Sequence, residues 1–405
     1  MTHAAPTLNN GRMARTIGYY AAFIVFGAAT AALGPTLPNL AEHAGVTLSA
    51  IGFLFTFRSA GYLAGSLGGG RLYDRLPGHP VLAGALLLMA AALVILPLPG
   101  VLWLLAAVML VLGLAEGSIE VGSNALLLWV HREKAGPFVN GLHFFFGVGA
   151  FLSPIAVAWA AGLLGDGTSA YWLLAALTLP VALWIVRLPS PSRQAADAAG
   201  GPAAPVDVTL VALVTLFFAL YAGIEHSFGG WIFSYATARG LATASAAAYL
   251  SSAFWGAITV GRLLAIPLLV RIKPATIILA DLLGVLISLG LFLISPRSPA
   301  ATWIATVGLG LSLASIVPTT LAFVGQHMAV TALATGWFFV GLGAGAMTIP
   351  LLIGRVFEQV GPYTMPLILT VDLALALVLF LVLRLYADRR VPEEPLPGID
   401  PERLD

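Results

Sequence analysis

The stretch Gly113–Val130, "GLAEGSIEVGSNALLLWV", places two acidic residues inside a long apolar segment. Glu116 and Glu120 are four residues apart, so on a helix they share one face, about 6 Å apart between Cβ atoms. A carboxylate near the centre of a bilayer costs roughly 2.5–3.5 kcal/mol on insertion scales. Two carboxylates on one face therefore indicate a polar site inside a membrane.

The whole sequence is nearly as apolar as this stretch. Of its 405 residues, 59% are hydrophobic and 9% are charged, whereas soluble domains carry about 25% charged residues. The composition predicts a polytopic membrane protein, and the net charge of +1 gives no basic surface for nucleic acid. The sequence has no cysteine, so it predicts neither a disulfide framework nor a thiolate metal site.

Segments of about 20 mostly apolar residues, the length that crosses a bilayer, occur twelve times. They lie near residues 14–37, 48–71, 80–98, 102–129, 138–163, 169–188, 208–236, 245–270, 275–294, 301–324, 331–356 and 364–387. The sequence predicts an all-α integral membrane protein with a six-helix bundle in 1–188 and a second bundle with a cytoplasmic tail in 208–405. The Pro/Ala/Gly-rich segment 189–207 is the predicted cytoplasmic linker.

The two halves resemble each other at a nearly constant offset. Matching positions are Gly27 and Gly223, Gly65 and Gly261, and Arg75 and Arg271 (offset 196), Gly113 and Gly308 (195), and Gly147 and Gly341 (194). The first apolar segment matches the seventh, so we interpret it as a retained helix and not a signal peptide. An internal repeat of this kind is typical of transporters whose halves rock about a site at the membrane midplane.

Basic residues predict the orientation, because they concentrate on the cytoplasmic side of a membrane protein. In this topology one side carries Arg12, Arg15, Arg71, Arg75, Arg132, Lys134, Arg187, Arg193, Arg271, Lys273, Arg384, Arg389 and Arg390, and the other carries Arg239, Arg297 and Arg355. Both termini and the linker are therefore predicted to be cytoplasmic.

The motif "GRLYDRL" at residues 70–76 resembles the signature that the major facilitator superfamily carries between its second and third helices. Gly70, Asp74 and Arg75 match that signature, whereas Pro77 interrupts its end and His79 replaces its first basic residue. The resemblance implies two six-helix bundles and conformational gating by Gly70, Asp74 and Arg75.

A narrower resemblance is carried by "GSIEVGSN", "NGLHFFFGVGA", "FFALYAGIEHSFGGW" and "FWGAITVGR". These stretches resemble the fucose–galactose–glucose proton symporters, especially the bacterial glucose/mannose symporters, which implies a cation-coupled sugar carrier. The resemblance implies cation coupling at Glu120 and a polar residue one turn later, here Asn124. It also points to Arg262, which we group with the gating residues. Unlike the fucose carriers, this chain has no acid in its first helix.

Polar residues inside the predicted helices are the candidate site residues, because ionisable groups within a membrane are usually functional. Glu120 and Asn124 share a face suited to a sugar hydroxyl, although small residues on that face would also suit helix packing. Arg58 and Glu116 lie at matching depths, which predicts an ion pair. The alternative is that Arg58 binds an anionic substrate.

The second half offers a further set of candidates. Glu225, one turn after Tyr221, is predicted to bind sugar or the coupling cation; the alternative is a buried acid satisfied by neighbouring helices. Trp231 is predicted either to stack on a sugar ring or to mark the membrane interface.

The remaining polar residues receive structural or path-lining roles. Asn140 and His143, at the start of the fifth span, are expected to line the inner path, to gate it or to pack a helix end. Arg262 and Asp281 are expected to form a structural ion pair, and Asp372 receives no role.

The sequence thus predicts secondary active transport of a hexose-like sugar, coupled to H⁺ or Na⁺ by alternating access, by a monomer in a bacterial inner membrane. Efflux of a drug or metabolite and symport of an anionic sugar are the alternatives. No cofactor or metal is predicted, and the two lysines, Lys134 and Lys273, lie in no phosphate-binding loop. An intramembrane enzyme is disfavoured because HExxH and GxSxG motifs are missing, and a channel suits the two-fold repeat less well.

Overall fold

The computed structural model describes residues 5–191, 207–328 and 330–389, without the side chains of residues 5–10, 133, 332 and 333. Within these ranges the chain forms helices and no strands, as the sequence predicts. The predicted linker, 189–207, lies almost entirely outside the described residues.

Fourteen α-helices occupy the described ranges. They are α1 (Ala5–His43), α2 (Leu48–Ile51), α3 (Phe53–Arg75), α4 (Gly78–Ile95), α5 (Leu102–His131), α6 (Gly136–Leu164), α7 (Ala170–Arg187), α8 (Val208–Ala238), α9 (Ala244–Arg271), α10 (Pro274–Ile294), α11 (Pro299–Leu313), α12 (Ile316–Gly325), α13 (Ala332–Phe357) and α14 (Thr364–Asp388). The short helix α2 precedes α3, and α11 and α12 form one interrupted crossing. The helices therefore match the twelve predicted spans.

Eleven segments of the described chain are long and apolar enough to cross a membrane. The second span, α3, is long enough at 23 residues but less hydrophobic, because five glycines and Arg58 replace apolar side chains. These features of α3 reflect its packing and its place in the candidate site.

Helices α3 and α5 cross at very short distance because glycines line both surfaces. A Cβ atom at Gly61 or Gly65 of α3 would overlap a backbone carbonyl of α5. A Cβ atom at Gly113 or Gly117 of α5 would likewise overlap a carbonyl of α3. Small residues spaced by four are the usual means of close helix packing in membranes, and here they fix the register of the two helices.

The same packing recurs in both halves, in the order that the repeat predicts. In the first half α1 crosses α6 at Gly27 and Gly149, and in the second half α8 crosses α13 at Gly341 and Gly345. The mate of the α3–α5 crossing is the α9–α11 crossing, where Gly261 faces the backbone of Leu311. The fold class of two six-helix bundles is thus reproduced by equivalent helix contacts.

The hydrogen bonds between the two halves lie at the predicted outer side of the membrane. All four hydrogen bonds between described residues of the two halves join residues 48–56 to residues 347–358. Glu358 caps the N-terminus of α2, accepting a hydrogen bond from the backbone N–H of Leu48 at 2.8 Å. Ser49 donates to the carbonyl of Arg355 at 3.3 Å. We call this set of contacts the outer seal.

Gly65 tests the close crossing. We expect Gly65→Ala to destabilise the protein by about 1–3 kcal/mol, because the new Cβ would force α3 away from Leu114. The matched control is Gly68→Ala on the same helix, where a Cβ meets no atom within 4 Å. Thermal unfolding in detergent should show a lower Tm for Gly65→Ala alone, and equal Tm values for the two variants would contradict the packing argument.

Glu358 tests the outer seal. The chain has no cysteine, so Thr56→Cys introduces a single label site between α3 and α13. We expect Glu358→Ala to increase the labelling rate of this cysteine by a membrane-impermeant maleimide applied from the predicted outer side, because the cap on α2 is lost. The control is Gln359→Ala, at an exposed neighbouring position. Equal rates in both variants would show that Glu358 does not hold the seal.

Candidate functional site

Arg58 and Glu116 form a two-pronged ion pair across the α3–α5 crossing. Arg58 Nε and Nη2 each donate to a different carboxylate oxygen of Glu116, both at 2.8 Å. Arg58 Nη1 also donates to the backbone carbonyl of Thr30 in α1 at 3.3 Å. The Glu116 side chain is only 2% exposed and that of Arg58 13%, so the pair is buried and its charges compensate each other.

One turn along the same two helices, Tyr62 donates a hydrogen bond to the carboxylate of Glu120. Glu120 is half-buried, in contrast to the fully buried Glu116. Asn124 donates to the backbone carbonyl of Glu120 at 2.9 Å. The glutamates therefore differ: one is neutralised by arginine, and the other is held by a neutral hydroxyl and reaches solvent.

Tyr62 is a site residue that the sequence analysis missed. The available signal is its spacing, since Arg58 and Tyr62 are four apart on α3 just as Glu116 and Glu120 are on α5. Once one pair is aligned, the helix period aligns the other.

In the second half, Glu225 of α8 faces Arg262 of α9. The nearest nitrogen–oxygen distance is 3.9 Å, which is loose for an ion pair. Tyr221 lies within interaction range of both side chains. The positive charge of Arg262 also acts on Glu120 and His143 of the first half. Arg262 of the second half therefore interacts electrostatically with polar groups of both halves.

The expected ion pair between Arg262 and Asp281 is wrong. Asp281 instead accepts a hydrogen bond from the hydroxyl of Ser315. The reason is geometric: α10 directs Asp281 towards the break between α11 and α12, whereas α9 directs Arg262 towards α8.

The structure places Trp231 in the outer seal and not at a sugar-binding surface. The side chain is 0% exposed, and its indole N–H donates to the carbonyl of Pro350 at 3.1 Å. Its ring packs against Phe357 and Phe55, with centroids 5.0 Å and 6.1 Å away. Full burial corrects both expectations in this conformation, because Trp231 offers no free ring face to a sugar and no edge to the membrane interface.

The expected path-lining residues differ in exposure. Asn140 is exposed near the predicted cytoplasmic start of α6, and His143 is half-buried one turn deeper. The His143 ring packs edge-on against Phe23, with centroids 5.7 Å apart. These positions suit a route from the predicted cytoplasmic side towards Glu120.

The signature residues lie at the predicted cytoplasmic end of α3, far from the outer seal. Gly70 is half-buried, and a Cβ atom added there would lie 3.9 Å from the side chain of Val121. Asp74 and Arg75 are exposed. Asp372 of α14 is 3% exposed, and neither of its carboxylate oxygens has a hydrogen-bond partner within the described residues.

The helical crossings and a polar site between two equivalent halves are the features of a membrane transporter. The sequence profile of the Major Facilitator Superfamily matches residues 19–340. The chain belongs to this superfamily, and it is a multi-pass membrane transporter and not an enzyme.

Three proteins are similar in sequence to this chain over most of its length. Sodium-dependent glucose transporter 1A of Mus musculus is 32% identical over 372 residues, which cover 83% of this chain and 88% of that protein. Sodium-dependent glucose transporter 1 of Homo sapiens is 29% identical, with coverage of 82% and 72%. Major facilitator superfamily domain-containing protein 4A of Homo sapiens is 26% identical, with coverage of 94% and 93%.

Solved structures share the fold. A bacterial homolog of the human lysosomal transporter Spinster aligns with a TM-score of 0.73 at 13% identity, over 98% of this chain and 100% of that chain. The nucleoside transporter NupG aligns with a TM-score of 0.69 at 15% identity, over 93% and 98%. These alignments confirm the predicted fold class.

A double-mutant cycle tests the buried ion pair. Arg58→Gln alone should destabilise the protein by about 3–5 kcal/mol, because it leaves Glu116 as an uncompensated buried charge. Adding Glu116→Gln should restore most of the loss, since two neutral amides can hydrogen-bond in the same space. Thermal unfolding of the two single variants and the double variant measures this coupling. If the stability loss of the double variant equals the sum of the two single losses, Arg58 and Glu116 are not energetically coupled.

Proposed function

We propose that the chain is a secondary active transporter of a hexose-like sugar, driven by a gradient of H⁺ or Na⁺. The observation that supports this proposal most directly is the partly exposed Glu120, which accepts a hydrogen bond from Tyr62 and interacts with the positive charge of Arg262 from the other half. The relatives named sodium-dependent glucose transporters support a sugar as substrate.

The sugar site in this proposal lies between the two Tyr–Glu groups. Tyr62 and Glu120 contribute from the first half, and Tyr221 and Glu225 from the second. Carboxylates accept hydrogen bonds from sugar hydroxyls, and tyrosine hydroxyls can accept or donate them, so this set can bind several sugar hydroxyls at once. Asn124, Asn140 and His143 extend the polar lining towards the predicted cytoplasmic side.

Glu120 carries the coupling step in this proposal. In its charged form it attracts Arg262 of the other half, and in its neutral form it leaves Arg262 to Glu225. A cation bound at Glu120 thereby changes the attraction between the halves, which is what coupling to alternating access requires. H⁺ would bind one carboxylate oxygen, whereas Na⁺ would need oxygen ligands from both Glu120 and its neighbours.

The geometry disfavours an anionic sugar held by Arg58. Three guanidinium N–H groups are already engaged, two by Glu116 and one by Thr30. An anionic substrate would have to break the buried pair and leave Glu116 unpaired, which is costly.

The proposed orientation follows from the distribution of basic residues, and the proposed membrane from the resemblance to bacterial sugar symporters. We place both termini on the cytoplasmic side of a bacterial inner membrane, with the outer seal facing away from the cytoplasm. The transporter acts as a monomer, since one chain supplies both halves of the site.

Transport by purified protein in proteoliposomes tests the proposal. Counterflow of a labelled hexose panel identifies the substrate, and imposed pH or Na⁺ gradients identify the coupling ion. Accumulation of a hexose under one gradient supports the proposal. Counterflow with no sugar, combined with extrusion of hydrophobic dyes, would favour the efflux alternative.

Glu120→Gln should separate coupling from substrate movement. We expect gradient-driven accumulation to fall by at least about tenfold, because the amide cannot carry the cation. Exchange of labelled sugar between equal pools should persist, because that process needs no net cation transfer. The matched control is Glu42→Gln, at an exposed acid near the end of α1, and accumulation equal to this control would remove Glu120 from the mechanism.

A further inference from the structure

A cavity with basic residues in its lining lies away from the proposed sugar site, at the predicted cytoplasmic end of the second half. It has a volume of about 750 Å³ and lies between the end of α9, the start of α10, the end of α12 and the end of α14. The α9–α10 turn contributes the whole segment 269–275 to its lining.

Three of the lining side chains are basic: Arg271, Lys273 and Arg384. The acid in the lining is Asp388, which lies 3.6 Å from Arg384 on the same helix. Within the described part of the chain, Arg271 and Lys273 make no ion pair and no side-chain hydrogen bond. Among the described residues, the two cations Arg271 and Lys273 therefore have no paired counter-charge in the cavity.

The rim of the cavity is apolar and faces outwards. Val270 is 85% exposed and Ile272 is 40% exposed, and both flank Arg271 in sequence. Because α9 ends at Arg271 and α10 begins at Pro274, these residues lie where the hydrocarbon core gives way to headgroups. Cations beside exposed apolar side chains at this depth match a ligand with an anionic head and apolar tails.

We propose that this cavity binds the headgroup of an anionic phospholipid of the cytoplasmic leaflet. The lipid phosphate accepts hydrogen bonds from Arg271 and Lys273, and the acyl chains lie along Val270 and Ile272. A free phosphate ion would use the same cations but would gain nothing from the apolar rim. Basic pockets between membrane helices on the cytoplasmic side commonly bind such headgroups.

Lipid binding to the full-length protein tests the site. Native mass spectrometry from detergent with added phosphatidylglycerol or phosphatidylcholine measures the affinity of each lipid. We expect the wild type to prefer phosphatidylglycerol, and Arg271→Gln with Lys273→Gln to weaken its binding, by about fivefold for each cation removed. The charge-conserving exchange Arg271→Lys with Lys273→Arg should retain binding.

The control removes the same charge from the same side of the membrane but outside the cavity, by Arg12→Gln with Arg187→Gln, at two exposed positions. This variant should bind phosphatidylglycerol like the wild type. Equal losses in the two double variants would overturn the site in favour of a general surface attraction. Displacement of phosphatidylglycerol by millimolar inorganic phosphate would overturn the lipid assignment in favour of a soluble anion.

Discussion

The short distance between α3 and α5 is the constraint on which the candidate site depends. Two helices with ordinary side chains at this crossing would lie 8–10 Å apart, and the glycines of both helices remove that spacer. At the shorter distance Arg58 meets Glu116 and Tyr62 meets Glu120. Glycine here serves the chemistry of the site as well as the packing of the bundle.

The crossing also separates the roles of two glutamates that the sequence places on one face. Two carboxylates about 6 Å apart oppose each other's ionisation. Arg58 removes this conflict, because it neutralises Glu116 with two hydrogen bonds in a buried setting. Glu120 is then left with a neutral partner and access to solvent, so in the proposed mechanism it is the acid that can change its charge.

The sequence predicts the spans and the repeat well because both depend on patterns that one residue cannot disturb. A run of about 20 apolar residues has few alternatives to a membrane helix, and glycines that repeat at a fixed offset reflect equivalent backbone contacts. Individual side-chain partners are harder to predict. Asp281 and Arg262 share a depth, but depth leaves rotation about the helix axis undetermined, and the structure turns them to different neighbours. The sequence leaves two roles open for Trp231 for a similar reason, since its burial depends on the distant segments around Phe357 and Gly52.

The repeat preserves backbone contacts while its chemistry differs between the halves. At the repeat offsets, Glu120 corresponds to Ser315 and Arg262 corresponds to Ser66. The acid of the first half and the base of the second half therefore have neutral hydroxyl residues as their mates. The α3–α5 and α9–α11 crossings consequently present opposite charges to the space between the halves, on equivalent frameworks. In the proposed mechanism, the symmetric frame lets the halves rock against each other, and the asymmetric charges make the attraction between them depend on whether Glu120 holds a cation.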